Sequence, residues 1–400
     1  MGMPNDVWVV DGARTPMAEY AGTPGFGLFK DVSAIDLCAA ASREAIRRSA
    51  LAPEAFHHAI VGNALQTSGD AIYGARHVAL KAGLPKEVPA LTVNRICGSG
   101  LQAIVSAAQL IRLGEARTVL AGGMENMSQA PHVIRGARTG FRFHDKVELE
   151  DSLRVALVDP IAGCTMAGTA ENLAREYGIA REAQDEYALR SHRLGATSVS
   201  TGLFDEEIVP VKVRRGREEV EVRRDDHVKA DTTLEILAKL KPAFGEGGTV
   251  TAGNASGVVD GAAAVVVSGE MPCGRKPIGK VISWGIAGVE PATMGIGPAP
   301  AIRQALDRAG VKLADVNLFE INEAFAGQYL AVEKELGLDR EKANVNGGAI
   351  ALGHPLGATG TRLALTLLYE LRRRKGRYGI ASACIGGGQG IAVLFESPRD

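Results

Sequence analysis

Three residues in this chain combine a chemically useful side chain with an unusual local setting: Cys97, His354 and Cys384. Cys97 sits in "TVNRICGSGLQAIVSAAQLI", where an apolar strand runs into a turn and a helix with apolar spacing opens near Gly98. A thiol there faces unpaired helix N–H groups and the positive end of the helix dipole. That setting can lower a thiol pKa from about 8.5 into the ~3.5–7.5 range, which makes it a nucleophile. A buried core cysteine is the bland alternative; the glycine-flanked strand-to-helix turn argues against it. His354 lies in "GGAIALGHPLGATG", followed by Pro355, which disfavours αR geometry at the histidine and orients its backbone. A histidine among so many glycines is poorly placed to fill a core, and it reads as a base rather than a solvated loop residue. His57 and His58, in the helical "PEAFHHAI", have no such setting and read as structural.

Cys384 opens "CIGGGQG", a run that invites a nucleotide reading. A dinucleotide cradle needs G-x-G-x-x-G, a following helix and an acidic residue about 20 positions on. Here "IAVLFE" follows and alternates like a strand, so that reading fails. Glycines after a strand still expose a nest of N–H groups able to bind developing negative charge. Asn322 and Glu323, in "FEINEAFA", end a buried strand, where α/β proteins place functional side chains. Helix capping is the competing role for Asn322. Two cysteines and a histidine, each at a glycine turn, suggest covalent thiol catalysis with a base. One thiol would carry an acyl group while the other moves a proton. Neither G-x-S-x-G nor H-E-x-x-H is present.

The elements that must position these residues are repeated. "AASREAIRRSALAPEAFHHAIVGNALQ" and "AIRQALDRAGVKLADVNLFEINEAFAGQ" share one plan, a helix, a break and a strand, which sets Asn63 against Asn322 or its neighbour. "RTVLAGGMENMS" likewise resembles "YGIASACIGGGQG". The offset is about 260 residues in each case, the signature of a duplicated unit. Short apolar strands alternating with helices predict βαβ units and mostly parallel sheets. Residues 1–124 with 246–272 form one predicted half and 273–400 the other. Residues 125–245, with the charged run "VRRGREEVEVRRDDH", read as an inserted lobe, and "GAAAVVVSG" would return the chain to the first half.

Bulk properties narrow the class. The 400 residues are 46% hydrophobic and 23% charged with a net charge of −1, so nothing favours nucleic acid or an anionic membrane surface. The 49 glycines let backbones approach closely and present bare N–H groups. Five cysteines without a C-x-x-C pair argue against a disulfide framework or a zinc site and suggest a reducing compartment. A strand-like run from Val7 leaves no room for a secretory segment, and no 18-residue apolar stretch occurs, so a cytoplasmic or matrix protein without a membrane span is expected.

Taken together, "NRICGSG", "GNASGVVDGAAAVV", "NEAFA", "NVNGGAIALGHPLGATG" and "CIGGGQG" resemble the thiolases along nearly the whole chain. "GNALQTSGDAIYGARHVALKAGLPKEVPALT" and "MGIGPAPAI" look closest to the mitochondrial-type 3-ketoacyl-CoA branch. The resemblance implies an α/β fold, a five-layered αβαβα sandwich of two similar halves with an inserted loop domain, in homodimers or homotetramers. It implies thiolytic cleavage of 3-ketoacyl-CoA and the reverse condensation of acetyl-CoA, with coenzyme A as a substrate and no further cofactor or metal. Cys97 would take the acyl group, His354 would activate it, and Cys384 would be the acid/base. Oxyanion holes would come from His354 with a water held by Asn322, and from the N–H groups of Cys97 and Gly386. Ser256, Ala252, Met166, Ala324 and Phe325 would line the pantetheine tunnel, with Met294 near the acyl end. Lys229 stands where short-chain members carry an arginine near the charged end of the coenzyme, and keeps the charge without the planar fork. The stretch before Met166 is longer than in those members and has Thr165 in place of their histidine, which leaves acyl-chain specificity open. Ketoacyl synthases and hydroxymethylglutaryl-CoA synthases resemble this pattern but use histidine or glutamate where Cys384 stands. A non-catalytic coenzyme A-binding paralogue should have lost one of Cys97, His354 or Cys384.

Overall fold

The computed structural model describes residues 6–243, 245, 247–271, 274 and 276–398, so Cys273 and the predicted limits at 246 and 272–273 lie outside them. Strands β1 (Trp8–Arg14), β2 (His58–Asn63), β3 (Ala90–Val93), β4 (Thr118–Glu125) and β5 (Val259–Ser268) run side by side in the order β3-β2-β4-β5-β1. Strands β6 (Gly279–Gly288), β7 (Val316–Ile321), β8 (Tyr378–Ile385) and β9 (Gln389–Glu396) repeat that plan as β7-β8-β9-β6. A parallel bridge from Phe319 to Ala343 stands where β3 stands in the first set. The two sets meet at one edge, where Trp8 and Val9 pair with Lys280 and Gly279.

The expectation of mostly parallel sheets needs correction. β2 pairs in parallel with β3 and β4, and β7 with β8, but β1–β5, β5–β4, β6–β9 and β8–β9 are antiparallel. β5 is buried along its whole length despite antiparallel neighbours. A continuous apolar strand reports burial on both faces, and stacked layers supply that burial whatever the strand direction. The "GAAAVVVSG" segment does return to the first set, between β1 and β4. His58 starts β2 rather than lying on a helix.

Helix α1 (Ala34–Ser49), opened by a Ser33 side-chain cap, covers one outer face of the first set. Helices α2 (Ser99–Arg112), α3 (Met166–Glu176), α4 (Arg181–Ser200), α5 (Pro298–Ala309), α6 (Ala326–Leu336) and α7 (Leu356–Arg374) follow in chain order. α5 covers the outer face of the second set. α2 and α7 pack on each other between the sheets. Their crossing is built from glycine: a Cβ on Gly100 would stand 2.5 Å from the Thr361 backbone nitrogen, and one on Gly360 would stand 2.3 Å from that of Leu101. Around the crossing Leu101, Ile104, Val105, Leu363 and Leu367 are fully or almost fully buried in one cluster with both sheets. Each contributes roughly 1.5–3 kcal/mol by leaving water. The close crossing is what brings the starts of α2 and α7, and hence the residues just before them, to one point. Between β4 and β5 the chain adds α3, α4 and three two-stranded ribbons. No helix among the described residues is long and apolar enough to cross a membrane.

Candidate active site

Cys97 lies in the 3₁₀ turn Ile96–Gly98 that leads into α2. Ile96 has φ 48°, a left-handed conformation that a β-branched residue adopts only under strain. Such strain costs on the order of 1–3 kcal/mol and persists only when neighbours enforce it. The neighbours here are Asn94 Oδ1, which accepts the Ile96 N–H at 2.8 Å, and Ser99 Oγ, which donates to the Ile96 carbonyl at 2.7 Å. The turn holds Cys97 facing an apolar cavity of about 270 Å³, whose walls include Met166, Ser256, Met294, Phe325, His354 and Gly386.

His354 follows Gly353 and precedes α7. The Thr359 hydroxyl donates to the Pro355 carbonyl at 3.1 Å and contacts His354 Nδ1 at 2.6 Å. With its proton committed to Pro355, Thr359 accepts from Nδ1–H, and Nε2 is left as the base. Asn322 Nδ2 lies 3.3 Å from that Nε2. Burial, then the charge of Arg362, pushes His354 down to about 3, so the ring is neutral near pH 7. Asn322 continues β7, its N–H donating to Ser382 at 2.9 Å, and its Oδ1 is buried without a protein donor among the described residues. Glu323 beside it is fixed by Tyr187, Ser191 and Asn344 side chains and the Ile350 N–H.

Cys384 ends β8, fully buried against Ala167, Met294 and Phe325. Burial, then proximity to Cys97, raises its thiol above the ordinary range. The glycines after it turn β8 into β9 through a three-residue loop: Gly387 and Gly388 have φ 81° and 82°, left-handed values that glycine adopts without a steric penalty. Gly386, ahead of that turn, directs its N–H toward the Cys97 sulfur, as does Cys97's own N–H.

The expected lowering of the Cys97 thiol is not what the structure gives. Burial outweighs the two N–H groups and raises it to about 12, with Glu125 adding to the rise. The helix start helps the anion, but desolvation of a fully enclosed thiol is larger. The free site therefore holds two neutral thiols and a neutral imidazole, and a thiolate there would form only by proton transfer.

An outer chamber of about 540 Å³ joins the first, sharing Met166, Ser256, Phe325 and His354 and adding Arg154, Ala243 and Ala255. Met166, Ser256, Met294, Ala324 and Phe325 therefore sit on the cavity walls. Ala252 does not: it is exposed on a turn closed by Thr251 and Asn254, which aims it away, and Ala255 lines the chamber instead. Lys229 is also off the lining, its ammonium 2.8 Å from Glu19 Oε2 and 4.3 Å from the Phe26 ring centroid.

Sequence reasoning missed four contributors. Glu125 was findable, because it stands to Asn63 as Cys384 stands to Asn322 in the duplicated plan. Thr359 looks like any helix residue, Ile96 carries no sign of its left-handed backbone, and Arg154 lies in an insertion without a counterpart to read it against.

The chain is similar to known proteins along nearly its whole length. Residues 7–271 match the family description "Thiolase, N-terminal domain" and residues 275–397 match "Thiolase, C-terminal domain". The chain is 49% identical to the mitochondrial 3-ketoacyl-CoA thiolase of Homo sapiens, over 99% of this chain and 100% of the relative. It is 47% identical to the acetyl-CoA acetyltransferase of Escherichia coli strain K12, over 97% and 98% of the two chains. The crystal structure of the human mitochondrial enzyme in complex with CoA superposes with a TM-score of 0.95 at 49% identity, covering 100% of this chain and 99% of that one.

Proposed function

The chain belongs to the thiolase family and has its five-layered αβαβα fold; from that premise we propose that this acyltransferase cleaves 3-ketoacyl-CoA with coenzyme A and runs the reverse condensation of acetyl-CoA. The observation that carries the reading is that Cys97 and the neutral imidazole of His354 line one apolar cavity while a second thiol, Cys384, lies buried close to Cys97. His354 Nε2 takes the Cys97 proton, and the thiolate attacks the 3-keto carbon. The C3 oxyanion meets the Cys97 and Gly386 N–H groups. The C2–C3 bond breaks with its electron pair on the acetyl carbon as an enolate, whose thioester oxygen meets His354 and a water held by Asn322 Oδ1, an atom with no protein donor among the described residues, and that carbon takes the Cys384 proton. The resulting Cys384 thiolate removes the thiol proton of incoming coenzyme A, which attacks acyl-Cys97. The Cys97 and Gly386 N–H groups hold that oxyanion, and His354 returns its proton to the departing Cys97. Each lost donor of this kind costs about 2.7–4 kcal/mol of transition-state stabilisation. Coenzyme A is a substrate here, and no cofactor or metal has a step.

The pantetheine arm runs through the outer chamber past Ser256, and the acyl group fills the inner one between Met294 and the Leu157–Pro160 hairpin. Its proposed setting is degradation of fatty acyl chains in the cytoplasm or a mitochondrial matrix, the matrix being supported by the relative's name, "3-ketoacyl-CoA thiolase, mitochondrial". The half-exposed Leu91 on edge strand β3 supports a homodimer or homotetramer. We keep 1–124 with 246–272, 125–245 and 273–400 as the domain division.

The test is trapping. Incubation with acetyl-CoA alone is expected to leave an acetyl group on the Cys97 peptide by mass spectrometry, and Cys97→Ala to leave none. An adduct that persists in Cys97→Ala on another residue sinks the assignment of the nucleophile.

A further inference from the structure

The coenzyme carries a diphosphate and a ribose phosphate, and Lys229, which the resemblance sets near that end, has its ammonium held by Glu19 and Phe26. Arg154 is in the opposite situation. It lies on the short helix Ser152–Ala156, at the wall of the outer chamber, which Ala243 and Val258 also line. The carboxylate nearest in sequence, Asp151, is turned onto the Leu153 and Arg154 N–H groups as a cap. Among the described residues no carboxylate lies within ion-pair distance of the Arg154 guanidinium, and its side chain makes no hydrogen bond to protein. The same segment continues into Leu157 and Val158, which line both chambers, so Arg154 is tied rigidly to the wall past which the pantetheine arm must run.

An unpaired, exposed guanidinium at the rim of a largely apolar channel matches an anionic group at the end of a neutral arm. Its planar fork binds phosphate oxygens two at a time, which an ammonium cannot do. Resting on the coenzyme A reading of the channel, we propose that Arg154 is the phosphate contact of this enzyme, a binding residue that acts on the coenzyme and takes no part in bond making.

The test compares substrates with and without the nucleotide. Arg154→Ala is expected to raise KM for coenzyme A in acetoacetyl-CoA cleavage roughly tenfold with kcat unchanged, the size of one charge-assisted contact. Arg154→Lys is expected to recover part of that loss. Added salt should weaken the wild type more than Arg154→Ala, because the variant has no charge left to screen. With pantetheine as the acceptor thiol, wild type and Arg154→Ala should have equal KM. Dephospho-coenzyme A then separates the two phosphates: a penalty retained with it places the contact at the diphosphate, and one lost places it at the ribose phosphate. Equal KM values for coenzyme A in wild type and Arg154→Ala would overturn the proposal, as would an equal penalty with pantetheine. A wild type that cleaves no 3-ketoacyl thioester would fail the functional reading itself, a distinct result.

Discussion

At the end of β4, Glu125 lies opposite Gly261; at the end of β8, Cys384 lies opposite Gly390. The backbone frame is the same, and so is the burial, yet the two positions do different things. Glu125 accepts from Asn63 Nδ2, from the Ala64 and Leu65 N–H groups and from the Gly357 N–H that opens α7, at 2.8–3.1 Å. Burial pushes its carboxyl up to about 7 against the pull of those donors. It is a post that fixes the start of α7, and His354 stands just before that start. Cys384 instead faces apolar side chains and the Cys97 sulfur, so its proton is free to move. The neighbouring asparagines divide in the same way: Asn63 is spent on Glu125, while Asn322 faces His354. One duplicated frame thus carries a structural half and a reactive half. Chemistry depends on which side chain ends the strand, because the backbone delivers both positions to the same central point.

Replacing the reactive side of this pair should have the largest effect. Cys384→Ala is expected to lower condensation about 10²–10⁴-fold, the usual worth of a positioned acid/base, while Cys97 is still acetylated by acetyl-CoA. Steady-state condensation and mass spectrometry of the same sample check this. Loss of acetylation in a folded Cys384→Ala variant would erase the division between the thiols.

On the structural side, Glu125→Gln replaces an acceptor-only group with one that turns N–H groups toward N–H donors. Stability should fall by about 1–3 kcal/mol, the penalty for leaving buried donors unpaired, measured by urea unfolding. The variant should keep the identity of its acylated residue. A change in that residue would mean that Glu125 acts in the chemistry and that the halves are less distinct than their contacts indicate.

The smallest effect expected is a flat profile. His354 lies far below the ordinary imidazole range, so its neutral form persists through neutrality. Single-turnover acetylation of Cys97 should vary by no more than about twofold between pH 5.5 and 7.5, without an inflexion near 6.5. Because its folded pKa is depressed, the stability that neutral His354 contributes is complete above pH 6.5 and is lost as pH falls toward 3. His354→Asn should make thermal unfolding less sensitive to acid over that window. A histidine-like inflexion near 6.5 in the wild type would show that the ring is solvated.

Much of this was legible in the residues. Glycine turns beside Cys97, His354 and Cys384, and the offset between the halves, singled out positions that the fold brings together and the duplication, because turn chemistry and hydrophobic period are local properties. What failed depended on neighbours distant in sequence. Strand direction was misread, since apolar runs record burial and not orientation. The helix start at α2 implied a lowered Cys97 thiol, but burial outweighs the Gly386 and Cys97 N–H groups and reverses the net shift. Lys229 pairs with Glu19, a partner 210 positions away that its sequence surroundings do not reveal. Sequence by itself determined which side chains could react and that the frame occurs twice. Tertiary structure alone decided their protonation, their partners and which cation faces the channel, because desolvation and pairing are set by packing between elements that the chain order keeps apart.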